Sequence, residues 1–226
     1  MRGEVTEWLK VLLSKSSVRL RVPWVRIPPS PPICYNNDMI PEELILKARK
    51  ISKIGPTEYQ TPPQQLIDLT TNKALLLAQR LNANSQIVEV GALLMDSELG
   101  LATKKEQPNQ HIEMAVIGVN GLLEDYPQLS KEVKDNILAC VAEHHGSKNF
   151  TSIESEICCN ADCYKFASVE GFISALRFMR PMPLEKQLKI LEDKLEEKWN
   201  ALTLEICIAE LEPQYKSIKQ LLNQVS

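Results

Sequence analysis

From Met39 to the C-terminus, apolar residues recur at intervals of three and four, and the two-residue alternation of a strand is nowhere sustained. A chain patterned in this way buries its apolar side chains by packing helix stripes against one another, so the expected fold class is all-α. Turn residues between the periodic stretches predict helices over 41–54, 64–82, 85–99, 108–124, 130–145, 153–166, 168–179, 184–211 and 214–224. Pro41, Pro108 and Ser130 stand at plausible starts, and Gly55, Gly100 and Gly146 at plausible stops. In the long helix expected over 184–211, Leu184, Leu188, Leu191, Leu195, Trp199, Leu202 and Ile206 share one stripe. Such a stripe needs a cover, either the helical body itself or a second copy in a homodimer. Residues 39–180 are thus read as one helical domain, and 181–226 as C-terminal helices that pack on it or form an oligomer interface.

Residues 1–38 follow a different rule. The stretch GEVTEWLKVLLSKSSVRLRVPWVRIPPSPP (3–32) has neither helical nor strand periodicity and ends in a proline cluster. Back-translated, GEVTEWLK reproduces the beginning of a bacterial-type serine transfer RNA gene. VRIPPSPP reproduces the TTCGAATC loop, the strand that pairs with the beginning, and the terminal CCA. At three nucleotides per residue the span matches a transfer RNA with a long variable arm. The expectation is an N-terminal extension read from an overlapping gene, with the natural start at Met39. The segment lacks the apolar core of a secretion signal and the amphipathic Arg/Ser pattern of a transit peptide.

Charge narrows the choice of ligand. The net charge of −3 conceals six basic and three acidic residues in 1–38, leaving 20 basic and 26 acidic in the rest. That acidic body argues against a phosphate-neutralising nucleic-acid surface and favours a small ligand. The longest apolar runs, such as Ile87 to Met95, are interrupted by Glu89 and fall short of the ~20 residues of a membrane span. The six cysteines include no Cys-x-x-Cys pair and are read as reduced core thiols rather than zinc or iron–sulfur ligands, which fits a cytoplasmic protein.

Four polar features interrupt or border strongly apolar helices: Asp96, His111, the His144–His145 pair and Asp162. Taken alone, two histidines at a helix C-terminus complement the negative end of its dipole.

The order of these segments resembles the HD superfamily of metal-dependent phosphohydrolases. IVEVGALLMDSELG resembles the helix that ends in the family's His-Asp doublet, and HIEMAVIGVNGLL the next helix with its leading histidine. ILACVAEHHG resembles the helix ending in a histidine, and IESEICCNADCYKF the last helix with its Asp-Ala-Asp element. The matches run over residues 66 to 166. The resemblance implies an HD-domain-like helical bundle with a long C-terminal helix. It also implies a divalent-metal site acting on phosphate esters, often nucleotides. In that family a first metal takes an early histidine, both residues of the doublet and the last aspartate. A second metal shares the doublet aspartate and takes histidines from the two middle helices. Carried over, the ligands are Asp96, His111, His144 or His145, and Asp162, with Asp96 and Asp162 as the catalytic carboxylates and Lys148 and Lys165 placed to meet a phosphate.

Two departures weaken the first site: Met95 stands at the doublet histidine and Thr70 or Thr71 at the early one, while Asn160 removes a further charge. Thioether and hydroxyl are poor ligands for a hard or borderline divalent ion. Asp96, His111 and His144 remain a sensible set for a single Fe, Mn or Zn ion, which would activate water and polarise a phosphoryl oxygen, with Asp162 orienting the nucleophile. The expected function is a degenerate HD-like protein that binds a phosphorylated small molecule or nucleotide without turnover. The alternatives are a one-metal phosphohydrolase and a helical scaffold that dimerises through 184–211.

Overall fold

Pro41 opens α1 (Glu42–Ile51), whose first turn carries Glu42 and Glu43 and whose last carries Arg49 and Lys50, each complementing the helix dipole. The computed structural model describes residues 39–147 and 149–225. The stretch read as a translated transfer RNA gene, and Lys148, lie outside the described residues. After a π-helical turn (Gly55–Tyr59) come α2 (Gln64–Leu81), α3 (Ser85–Leu94), α4 (Leu99–Lys104), a 3-10 turn (Pro108–Gln110), α5 (His111–Glu124), α6 (Lys131–Ala142), α7 (Ile153–Ala167), α8 (Val169–Phe178), α9 (Leu184–Asn200) and α10 (Glu205–Val225). Among the described residues no strand occurs, and no helix is long and apolar enough to cross a membrane.

Short polar side chains set the helix starts. Asn84 accepts from the Gln86 and Ile87 amides to begin α3, Ser130 accepts from Val133 to begin α6, and Ser152 with Ser155 forms a reciprocal capping box on α7. The buried Glu154 carboxylate, in the first turn of α7, joins the start of α3 to the middle of α6, accepting from the Asn84 amide at 2.8 Å and the Asn136 side chain at 3.0 Å. α7 is the central helix, with α2, α3, α6, α8, α9 and α10 packed around it. α3 and α6 approach unusually closely. A Cβ on Gly91 would lie 2.4 Å from that of Cys140, so only glycine permits the contact that brings the ends of these two helices together. A similar squeeze at Gly100, 2.6 Å from the Thr61 carbonyl by the same measure, seats α4 under the 55–61 loop.

Four helix bounds differ from expectation. The span 41–54 ends as a helix at Ile51 and gives way to the π-helical turn. α3 stops at Leu94 rather than 99, leaving Asp96 in a turn before α4 begins. α6 stops at Ala142, so His144 and His145 occupy the turn beyond it. The span 184–211 is interrupted at 201–204 because Asn160 of α7 captures that backbone. Its Oδ1 accepts from the Thr203 and Leu204 amides, both at 3.0 Å, and its Nδ2 donates to the Thr203 hydroxyl at 2.8 Å.

The long C-terminal helix is instead α10, which runs through Pro213. An internal proline costs about 3 kcal/mol. Cys207, Leu211, Ile218 and Leu222 are buried on both sides of it, and each buried apolar side chain returns roughly 1.5–3 kcal/mol, so packing prevails over the break expected before residue 214. Leu191 and Leu195 are fully buried in the core of the same chain, which covers that part of the 184–211 stripe. Trp199 stacks on Tyr215 of α10 with ring centroids 4.3 Å apart.

Candidate functional site

Asp96, His111, His144 and His145 converge, with one ligand atom from each lying within 4.8 Å of all the others. They reach this point from the turn after α3, the first residue of α5 and the turn after α6. The Nε2 atoms of His111 and His144 face Asp96 Oδ1 at 3.7 and 3.5 Å. Each ring is fixed from behind by its own backbone, since Nδ1 lies 2.7 Å from the Pro108 carbonyl in His111 and 2.7 Å from the Val141 carbonyl in His144. A carbonyl only accepts, so Nδ1 carries a proton in both rings, and Nε2 is the nitrogen turned toward Asp96. Both Nε2 atoms are buried without a hydrogen-bond partner. Burial lowers the pKa of His111, so its ring is neutral near pH 7. Two buried imidazole nitrogens and a carboxylate oxygen at this spacing are a donor set that fits a divalent ion.

His145 is held differently. Burial, then the Lys198 charge, depress its pKa to about 3. Its 3.8 Å approach to Glu197 is therefore not a salt bridge.

The other carboxylate belongs to a separate arrangement. Asp162 lies outside the four-residue cluster, and both of its oxygens are taken by ammonium groups, Lys165 at 2.6 Å and Lys198 at 2.7 Å. The contact with Lys198 is a charge pairing that lacks hydrogen-bond geometry. Lys165 also donates to Asp96 Oδ2, so one ammonium bridges the two carboxylates that the resemblance assigns to a first metal. All four groups are at least nine-tenths buried. Burial alone would raise the pKa of both aspartates, yet Lys165 reverses this at Asp96, and Lys165 with Lys198 reverses it at Asp162, leaving both well into the ionised range. Burial pulls both lysines down, and the carboxylates more than restore them. The cluster is a closed ionic network.

The missing histidines leave a visible trace. Thr70 is fully buried with no partner for its hydroxyl, and it lines a void of about 10 Å³ together with Met95, Asp96 and Lys165. Met95 is packed in the core.

Above the network opens a cleft of about 570 Å³. Its floor holds Asp96, His111, His145, Asp162, Lys165 and Lys198, and its walls include Leu66, Leu99, Ile112, Phe166, Phe178 and Ile190. Lys194 and Glu197 are also among its lining residues and are paired at 2.6 Å.

Lys198 was not legible as a site residue because it belongs to the 184–211 stretch, where only the apolar stripe was read. Its signal is its place three residues after Leu195 and seven after Leu191, on the buried side of α9. Lys165 was expected to meet a phosphate; it lies in the site, but committed to two carboxylates.

The fold is an all-α, HD-domain-like helical bundle. No protein-family model matches the chain, and no curated protein matches it significantly. Among solved structures, Bacillus subtilis YpgQ superposes with a TM-score of 0.57 at 17% identity, covering 81% of this chain and 94% of its own. YpgQ in complex with ADP gives 0.56 at 19% identity, covering 79% and 95%. A predicted HD superfamily hydrolase from an uncultured Thermotogales bacterium gives 0.50 at 17% identity, covering 67% and 84%. At these identities the likeness establishes the fold and leaves the chemistry to the residues.

Proposed function

We propose that this protein binds a nucleotide or another phosphorylated small molecule in the cleft without turning it over, with one divalent ion (Fe, Mn or Zn) on Asp96, His111 and His144. The observation that carries this reading is the Lys165 bridge between Asp96 and Asp162. Hydrolysis by the alternative one-metal route asks Asp162 to orient the nucleophile. A carboxylate with both oxygens on buried ammonium groups has no oxygen free to accept from the attacking water. The ligand class is supported by a cleft of about 570 Å³ lined by apolar side chains together with charged and polar groups. It is supported also by the ADP bound to the structural neighbour YpgQ.

The test is calorimetry and thermal melting of the full chain with ADP and Mn²⁺, alongside an assay for released phosphate. Binding that raises the melting temperature without phosphate release is expected. Steady phosphate release that His111→Ala abolishes would establish the hydrolase alternative, and a complete lack of ADP binding would remove the ligand assignment.

A further inference from the structure

Resting on the one-ion reading above, we infer that the Lys165 side chain takes the place of the first metal and keeps a second divalent ion out of this chain.

The resemblance gives the first metal four partners: an early histidine, the two residues of the doublet and the last aspartate. Only Asp96 and Asp162 remain of these, and neither is open. Lys165 donates to Asp96 Oδ2 and lies 2.6 Å from Asp162 Oδ1, while Lys198 lies 2.7 Å from Asp162 Oδ2. All four side chains are buried. An ion entering between the carboxylates has to drive out an amine that is tethered to the chain and bonded to both of them. The expelled amine loses two buried partners, which is strongly unfavourable, and the ion gains no nitrogen ligand in return.

The two lost ligand positions are closed in a different way. Met95 is packed in the core, and Thr70 is fully buried with no partner for its hydroxyl. Both line the void of about 10 Å³ beside Asp96 and Lys165, which is room for about one water molecule. Thr71 does not line it, so Thr70 is the residue at the early histidine's position. A thioether, a hydroxyl and a space of that size do not make a site for a divalent ion. Lys165 therefore holds the two carboxylates together as a cation would, but an ammonium has only donors to offer and no open coordination position. It also orients the neighbouring site. With Asp96 Oδ2 on Lys165, Oδ1 is the oxygen left facing the Nε2 atoms of His111 and His144 at 3.7 and 3.5 Å.

The experiment loads the full chain with Mn²⁺, removes loose ion, counts bound metal by elemental analysis and looks for coupled ion pairs by electron paramagnetic resonance. The unaltered chain should hold at most one Mn²⁺, with an uncoupled spectrum. Thr70→His with Met95→His, keeping Lys165, should hold no more than the unaltered chain. Adding Lys165→Ala, which removes the amine and frees room for the imidazoles, should add one ion and a coupled spectrum. A coupled pair in the unaltered chain would overturn the inference, whether or not any variant folds. A gain in the double variant would overturn it too, because the lysine would then not be what excludes the ion. So would a triple variant that is folded by circular dichroism and gains nothing. Should the triple variant fail to fold, Lys165→Ala alone is titrated with Mn²⁺; a weak second binding event is expected, and its absence overturns the inference. An unaltered chain that takes up no Mn²⁺ would remove the ion from the proposed function, while the double and triple variants still decide what Lys165 does.

Discussion

Lys165 Nζ lies 2.6 Å from Asp162 Oδ1 and is also bonded to Asp96, so a single protonated amine holds two buried carboxylates from different elements at a fixed separation. Lys165→Met keeps the volume and removes the charge. Breaking one member of a buried ionic network costs about 3–5 kcal/mol, and a loss of that size is expected in chemical denaturation. Added Mn²⁺ should restore part of it, because Asp96 then lacks its ammonium and Asp162 keeps only Lys198. A variant as stable as the parent would show that the amine is not balancing them.

Gly91→Ala places a methyl group 2.4 Å from Cys140 Cβ. Both atoms are anchored to helix backbones, so α3 and α6 must separate, and over-packing of this kind costs about 1–3 kcal/mol. Cys140→Ser retains the offending carbon and should not relieve the clash. Cys140→Gly in the Gly91→Ala background should relieve it, giving a double-mutant loss smaller than the sum of the single losses.

Asn160→Ala leaves the Thr203 and Leu204 amides without their acceptor. Both bonds are only partly buried, so losing each costs about 0.5–1.5 kcal/mol. Hydrogen exchange at those two amides should accelerate far more than exchange within α3, which Asn160 does not touch.

Acid should destabilise the fold in two stages. His145, held at about 3 against an ordinary 6.5, and His111, also lowered, resist protons that the unfolded chain accepts, so stability is lost as pH falls below 6.5. Asp96 and Asp162 have lowered values; their contribution is whole above the ordinary 3.8 and is lost as pH falls below it through their folded values. Lys165 and Lys198 are raised, so their contribution is complete below 10.5 and declines only at higher pH. Melting temperatures across this range should fall from 6.5 downward and more steeply below 3.8. A flat profile down to 3.8 would contradict the lowered values of the two histidines.

What was legible in the sequence was whatever local chemistry decides. Three-and-four periodicity revealed the helical body, and Ser130 marked the start of α6. The order of Asp96, His111 and His144 along the chain anticipated the residues that meet. The different settings of His144 and His145 were not legible, because they depend on the turn beyond Ala142, where His144 Nδ1 finds the Val141 carbonyl and His145 lies near Glu197. The break at 201–204 was hidden for a different reason, since Asn160 is 43 positions away from the amide it captures. Lys165 and Lys198 were the hardest to place. A lysine in a helix is ordinarily solvated, and only tertiary pairing with Asp162 makes burying its charge tolerable.

Lys198 is contributed by α9, beyond the span that resembles the HD helices, yet it neutralises Asp162 at their centre. Cutting the chain after Met179 would expose one face of α7 and also leave Asp162 with one cation instead of two. The two last helices are in this sense part of the site's electrical insulation, and their loss would be felt at Asp162 as well as at the surface they cover.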